Sequence, residues 1–356
     1  MRVSFTRKDH SSVHATAQNI SSPSLYFGPT ANLKPGPLVS LVEGLVTKLT
    51  QWDNLRQRIN ETRGALHLRI LTFKGMDKNQ QKQFAKKVLD AKLRISIEGG
   101  GALCGEGAGV TQANSLLKSL ESYLTAGGPV HQWLLESIYS RTRRQCPMQT
   151  LSVTTDELSS FSAVIHTADL NTDDNTVQYL YDALPHYSVN ATTAGGRFWS
   201  ANTVGTHYNM ELGTTLRGLH KAMSAKGVPL MGYWADCPYE YSRDYPNASA
   251  PIPGNAGFLK LQDTSLLVRN LSLKVAKTFN SGEGGQTSDR AFFQDTMHDW
   301  MHGGQGRDWW DAIMVETWYK HPADAIPETK PYTTAYTALS VFETVHAGDD
   351  TSVYHT

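Results

Sequence analysis

No stretch of this sequence is apolar for long enough to cross a membrane, and neither sign of charge predominates. Lys plus Arg and Asp plus Glu both number 33, so the 356 residues carry a formal net charge of zero. That balance argues against nucleic acid or an anionic membrane as a partner. Cysteine is scarce. Cys104, Cys146 and Cys237 show no CxxC spacing, and an odd number allows at most one disulfide within the chain. The start, "MRVSFTRKDHSSVHATAQNISS", has basic residues but no apolar core of a signal peptide, so residues 1–22 read as an extended N-terminal segment. Nucleophile-elbow (GxSxG), zincin (HExxH) and phosphate-loop (GK[ST]) motifs are all missing, as is GxGxxG. Five N-x-S/T sequons, at Asn19, Asn60, Asn190, Asn247 and Asn270, matter only in a eukaryotic secretory route. Compartment stays open, with a secreted or periplasmic location favoured.

What the chain does have is a repeating unit. Its hydrophobic fraction of 40% and 29 glycines suit a globular protein with a sizeable core. Short apolar segments recur, each followed by a polar or Gly-rich loop. Eight are read: "LYFG" (25–28), "LHLRILTF" (66–73), "LRISIEGG" (93–100), "HQWLLES" (131–137), "VQYLYDA" (177–183), "VPLMGYWAD" (228–236), "LSLKVAKTFN" (271–280) and "AIMVETW" (312–318). Amphipathic stretches lie between them, at 37–59, 78–92, 211–227 and 288–304. Gly227 stands as a helix stop and Ser288 as an N-cap.

A strand, a loop and a returning helix repeated eight times predict a (β/α)8 barrel with enlarged loops, over residues 1–356 as one catalytic domain. A doubly wound open sheet has the same alternation, but "FGPTANLKPGP" after the first segment is not its Gly-rich phosphate turn.

Five of the segments end in an acid: Glu98, Glu136, Asp182, Asp236 and Glu316. In a barrel the C-terminal strand ends converge on one mouth, so these groups are expected to face a shared cavity. Packing alone gives no reason for this, because like charges in a partly dry site raise each other's pKa. Large aromatic residues flank the acids. Trp234, Trp318, Tyr319, Tyr187 and Tyr181 combine an apolar face with a polar tip, which suits stacking on a sugar ring. Trp133 is expected inside the barrel. His186 follows Asp182 by four residues, and His207 and His321 also fall in loops. Asn280 and Glu240 are candidate hydroxyl binders. "SRTRRQC" (140–146) reads as a solvated basic face, with recognition of an acidic group as the alternative.

These strand ends, "ISIEGG", "LLESIYS", "YLYDALPHY", "YWADCPYEY" and "MVETWY", give the chain a pattern that resembles the TIM-barrel glycoside hydrolases. The resemblance implies hydrolysis of an oligo- or polysaccharide by a carboxylate pair, with no cofactor. Glu316 is expected as nucleophile or base, and Asp182, Glu136 or Glu98 as acid. Asp236 and His186 would tune those groups or bind hydroxyls. In many such hydrolases the pair comes from the fourth and seventh strands. Here the seventh segment ends in Phe279-Asn280, a departure unless Glu316 belongs to the seventh strand. Two alternatives stand: a metal-dependent sugar isomerase, epimerase or lyase using Glu98, Asp182, Asp236 and His186 as ligands, and a non-catalytic carbohydrate-binding barrel. Neutral charge fits a monomer or a dimer alike.

Overall fold

The computed structural model describes residues 23–29, 35–172, 176–201, 210–243, 256–303 and 309–346. The expected 1–22 segment, His207 and the sequons at Asn19 and Asn247 lie outside these residues. Of the remaining sequons, Asn190 and Asn270 are exposed and Asn60 is half-buried.

All eight expected strands form: β1 (Ser24–Gly28), β2 (Ala65–Arg69), β3 (Ile95–Gly99), β4 (Gln132–Glu136) and β5 (Val177–Ala183) lead the series. After β5 comes an insertion with three short strands, β6 (Tyr187–Asn190), β7 (Phe198–Trp199) and β8 (Met210–Glu211), paired in the order β7-β6-β8. Then follow β9 (Leu230–Asp236), β10 (Lys274–Phe279) and β11 (Ala312–Glu316). The eight long strands pair in parallel and close in the order β1-β11-β10-β9-β5-β4-β3-β2, a (β/α)8 barrel. Glu316 is therefore on the eighth barrel strand, and the seventh does end at Phe279. The departure from a fourth-and-seventh pairing persists.

Side chains alternate across each strand, so every second residue faces the bore. Tyr26, Leu134, Tyr179, Tyr181, Trp234, Ala276 and Met314 fill it as one apolar cluster. The intervening residues, such as Leu25, Phe27, Ile97, Leu135 and Val315, join a larger cluster beneath the helices. Trp133 belongs to this outer layer rather than to the bore as expected. It follows the parity opposite to Leu134, donates its indole N–H to Gly99 O at 3.0 Å and lies edge-on to Phe161.

The helices differ from expectation in detail. The 37–59 stretch is broken into Pro35–Thr47 and Asp53–Glu61, where the chain turns so that Trp52 is buried and its indole N–H bonds Leu45 O at 2.9 Å. "ILTF" after β2 opens a helix, Ile70–Gly75, instead of extending the strand; a short apolar run has no period that separates the two. Lys78–Asp90 forms behind a capping box in which Asp77 accepts from Asn79 N and Gln80 N, and the Gln80 side chain returns to Asp77 N. Ser288 caps Asp289–Gly303 by accepting from Ala291 N at 3.1 Å, and Gly227 sits at φ 71° past the helix Leu212–Ser224.

One disulfide forms, between Cys104 and Cys146, with Cα atoms 6.0 Å apart; Cys237 is a buried free thiol. The bridge ties the loop after β3 to the end of helix Ile138–Gln145.

Candidate functional site

Because bore-facing residues alternate, the last inward position of a strand sits at the C-terminal end of the bore. Glu98, Glu136, Asp236 and Glu316 each take that position on β3, β4, β9 and β11, following the inward Ser96, Leu134, Trp234 and Met314. All four are buried. Gly28 completes the ring beside Glu316, its register partner, and must be glycine: a Cβ there would lie 2.8 Å from Glu316 Cγ. Gly100 is constrained similarly, since its Cβ would lie 2.4 Å from Glu136 O.

Three basic groups join them, and the strand-end reading missed all three. His67 and Arg69 are successive inward positions of β2. His67 Nε2 lies 3.5 Å from Glu98 Oε2, with Nδ1 and Ser96 Oγ sharing a hydrogen bond at 3.1 Å. Arg69 Nε lies 3.3 Å from Glu98 Oε1. Arg141, expected on a solvated face, instead reaches back one helical turn to pair with Glu136. The signal for the first two was in "ALHLR", where polar residues alternate with leucines. Arg141 gave no such signal, because only the loop geometry after β4 aims it inward.

This environment splits the carboxyls into two states. Burial alone would raise the Glu98 pKa, but the His67 hydrogen bond and the Arg69, His67 and Arg141 charges hold it below the ordinary value. Glu316 goes the other way, pushed well above 4.5 by burial and then by the Glu98 charge, against smaller opposing effects of Trp318 and Arg69. Glu136 rises to about 8 through burial and the Glu98 charge, partly offset by Arg141. Asp236 rises to about 7 through burial, then Glu98 and Asp182. One charged carboxylate is thus surrounded by proton-holding neighbours. Ligand atoms of Glu98, Glu316 and His67 all lie within 4.8 Å of one another.

The other expected residues divide. Asp182 has the outward parity on β5. It accepts from Ser140 Oγ at 3.1 Å, Ala183 N at 2.8 Å and Tyr187 Oη at 3.0 Å, so it is held away from the four converging acids. Tyr187 is buried in the same outward network, edge-on to Tyr233, and offers no ring to a ligand. His186 Nδ1 lies 3.7 Å from Asp182; among the described residues the ligand atoms that converge are those of His67, Glu98 and Glu316, not those of Glu98, Asp182, Asp236 and His186. Trp234 is fully buried in the bore between Tyr26 and Tyr179, with its N–H on Thr278 Oγ1 at 3.0 Å; it is core, not a stacking surface.

Trp318 and Tyr319 are half-buried beyond β11 and remain available faces. Trp318 stands edge-on to Tyr181 at 6.2 Å, and its N–H approaches Glu316 without meeting hydrogen-bond geometry. Burial, then the Glu240, Asp236 and Tyr241 charges, push Tyr319 up to about 12. Glu240 accepts from Gly282 N at 3.0 Å, a loop-fixing role. Asn280, the next inward position after Thr278 on β10, is buried at the same level as the acids. His321 bonds Asp289 Oδ1 at 2.5 Å, away from the bore.

No family model matches the chain. No curated protein matches it. Among solved structures it is similar to a family GH18 chitinase from Chromobacterium violaceum, at 12% identity and TM-score 0.43, covering 93% of this chain and 91% of that one. It is also similar to an O-GlcNAc hydrolase mutant from Thermobaculum terrenum, at 10% identity and TM-score 0.42, covering 91% of this chain and 58% of that one. A U32 peptidase matches at 6% identity and TM-score 0.35, covering 89% and 96%.

Proposed function

We propose that the chain is a single catalytic barrel that hydrolyses glycosidic bonds of an oligo- or polysaccharide, with Glu98 and Glu316 as the working pair. The observation that carries this reading is their opposite charge bias, with one oxygen of each carboxyl within 4.8 Å of the other. Glycoside cleavage needs one ionised and one protonated carboxyl; with retention the groups stand roughly 5–5.5 Å apart, wider than this closest oxygen–oxygen approach. Glu98, kept ionised by Arg69 and His67, attacks the anomeric carbon. Glu316 donates its proton to the leaving oxygen, then takes one from the water that releases the sugar. The roles are reversed from the sequence expectation of Glu316 as nucleophile, and the reason is the His67 hydrogen bond together with the Arg69 charge, both beside Glu98. The Cys104–Cys146 bridge supports a secreted or periplasmic setting.

A second reading has its own observation. His67, Glu98 and Glu316 form a donor set that suits a transition metal, with Ser96 orienting the imidazole from behind. It replaces the four-residue set expected from sequence, and it supports a metal-dependent isomerase, epimerase or lyase. Reducing-end release from a broad glycan panel, with EDTA and with added Mn²⁺, separates the readings. Release indifferent to EDTA supports the carboxylate pair. Release that requires Mn²⁺ supports a metal-dependent lyase; binding without release leaves a metal-dependent isomerase or epimerase, read by Mn²⁺-dependent interconversion of the bound sugar, and binding without either supports a non-catalytic barrel.

A further inference from the structure

Five polar atoms at the C-terminal end of the bore are buried without a hydrogen bond of good geometry among the described residues: Tyr181 Oη, which has Thr278 nearby, Asp236 Oδ1, Asn280 Oδ1, and Glu316 Oε2 and Trp318 Nε1, which approach each other. They lie on or just past β5, β9, β10 and β11, which are consecutive around the barrel. Tyr181 lies within electrostatic reach of Asp236 and Glu316 and in ring contact with Trp318, so the atoms share one quadrant. A buried polar atom without a partner is costly and uncommon, and five together are not explained by packing.

Their chemistry is mixed. The Asp236 and Asn280 oxygens accept, the Tyr181 hydroxyl and the Trp318 indole N–H donate, and the Glu316 carboxyl does both when protonated. Neighbouring hydroxyls on one ring each donate and accept, which matches such a set. The two guanidiniums lie elsewhere: Arg69 on β2 is committed to Glu98 and Arg141 to Glu136. An anionic group seated among Asp236, Asn280 and Glu316 would meet neither guanidinium, would hold both acids in their protonated forms, and would have only the more distant His186 and Lys277, which already act on Asp236, as counter-charges.

We propose that this quadrant is the seat of one uncharged, polyhydroxylated ring, held by Tyr181, Asp236, Asn280 and Trp318 on the side of Glu316 away from Arg69. The proposal rests on the glycosidic reading and names its substrate class: a neutral sugar at the cleavage point. Titrating the full-length chain with glucose, galactose, mannose, xylose, N-acetylglucosamine, glucuronate and glucose 6-phosphate, followed by saturation-transfer NMR, tests it. At least one neutral sugar should bind more tightly than either anionic one. Tyr181→Phe, which keeps the ring and its packing, and Asn280→Ala should each weaken that binding roughly 10- to 100-fold without lowering the melting temperature. Preference for an anionic sugar, binding unchanged in both variants, or no binding by any of the seven overturns the seat. Binding that follows the variants while no glycan is cleaved keeps the seat and removes the hydrolase. Cleavage with KM and kcat unchanged in both variants does the reverse.

Discussion

Glu98 and Glu316 show how little of a carboxyl's chemistry is in its own side chain. Both end a strand, both are buried, and sequence treats them alike. What separates them is one guanidinium at 3.3 Å and one imidazole at 3.5 Å from Glu98. The pH dependence follows with a definite sign. In the proposed mechanism Glu98 must be ionised, so the acidic limb is expected below the ordinary carboxylate value; Glu316 must hold a proton, so the alkaline limb is expected well above that value. Replacing Arg69 by Met should move the acidic limb upward, because the charge that favours the ionised form is gone; a pH profile of kcat/KM reads this. Glu316→Gln should lower kcat by about 10²–10⁴-fold while circular dichroism and sugar binding stay intact. Stability has its own pH signature through Glu136. Its pKa rises from 4.5 to about 8 on folding, so the folded state binds the extra proton, and stability is lost as pH rises through that window. Melting temperature should therefore be lower near about pH 8.5 than near about pH 6, and Glu136→Gln should reduce the difference, leaving the part due to Asp236 and Glu316.

At the scale of elements, the eight strands were legible because apolar segments and turn residues recur in a fixed order. The direction of each strand-end side chain was legible only through parity, counted from a neighbour known to face the bore. Counting from Tyr181 and Trp234 puts Asp236 inward and Asp182 outward, which is why five expected acids became four. "LHLR" carried the same alternating signal for His67 and Arg69, hidden because the reading looked only for acids at strand ends. Arg141 was not legible: its reach to Glu136 depends on the left-handed residue Ser137, at φ 50°, that starts the helix after β4. Close approach makes a test. Gly28→Ala should displace the Glu316 side chain, cut kcat by at least about tenfold and cost roughly 1–3 kcal/mol of stability through overpacking, whereas a surface substitution would do none of these. Elsewhere, Asp299 pairs with fully buried Lys277 at 2.5 Å, joining helix Asp289–Gly303 to β10. Asp299→Ala leaves that cation unpaired and should cost about 3–5 kcal/mol in urea unfolding.

The whole molecule is a closed parallel barrel whose interior is sealed by aromatic rings and whose C-terminal end collects ionisable groups. Closure itself could be read from the count of eight units, while the insertion of β6, β7 and β8 could not, since strands of two to four residues have no periodicity to detect. The Cys104–Cys146 bridge spans 42 residues, and opening it should cost up to about 4 kcal/mol through the entropy of the unfolded chain; a fall in melting temperature under reducing agent would show it. The most direct test of the hydrolase reading compares wild type with Glu98→Gln, both treated with EDTA, for reducing ends released from the glycan panel. Release by the wild type and only background from the variant is the predicted result. Equal release by both, or release by neither until Mn²⁺ is added, would contradict Glu98 as the nucleophile.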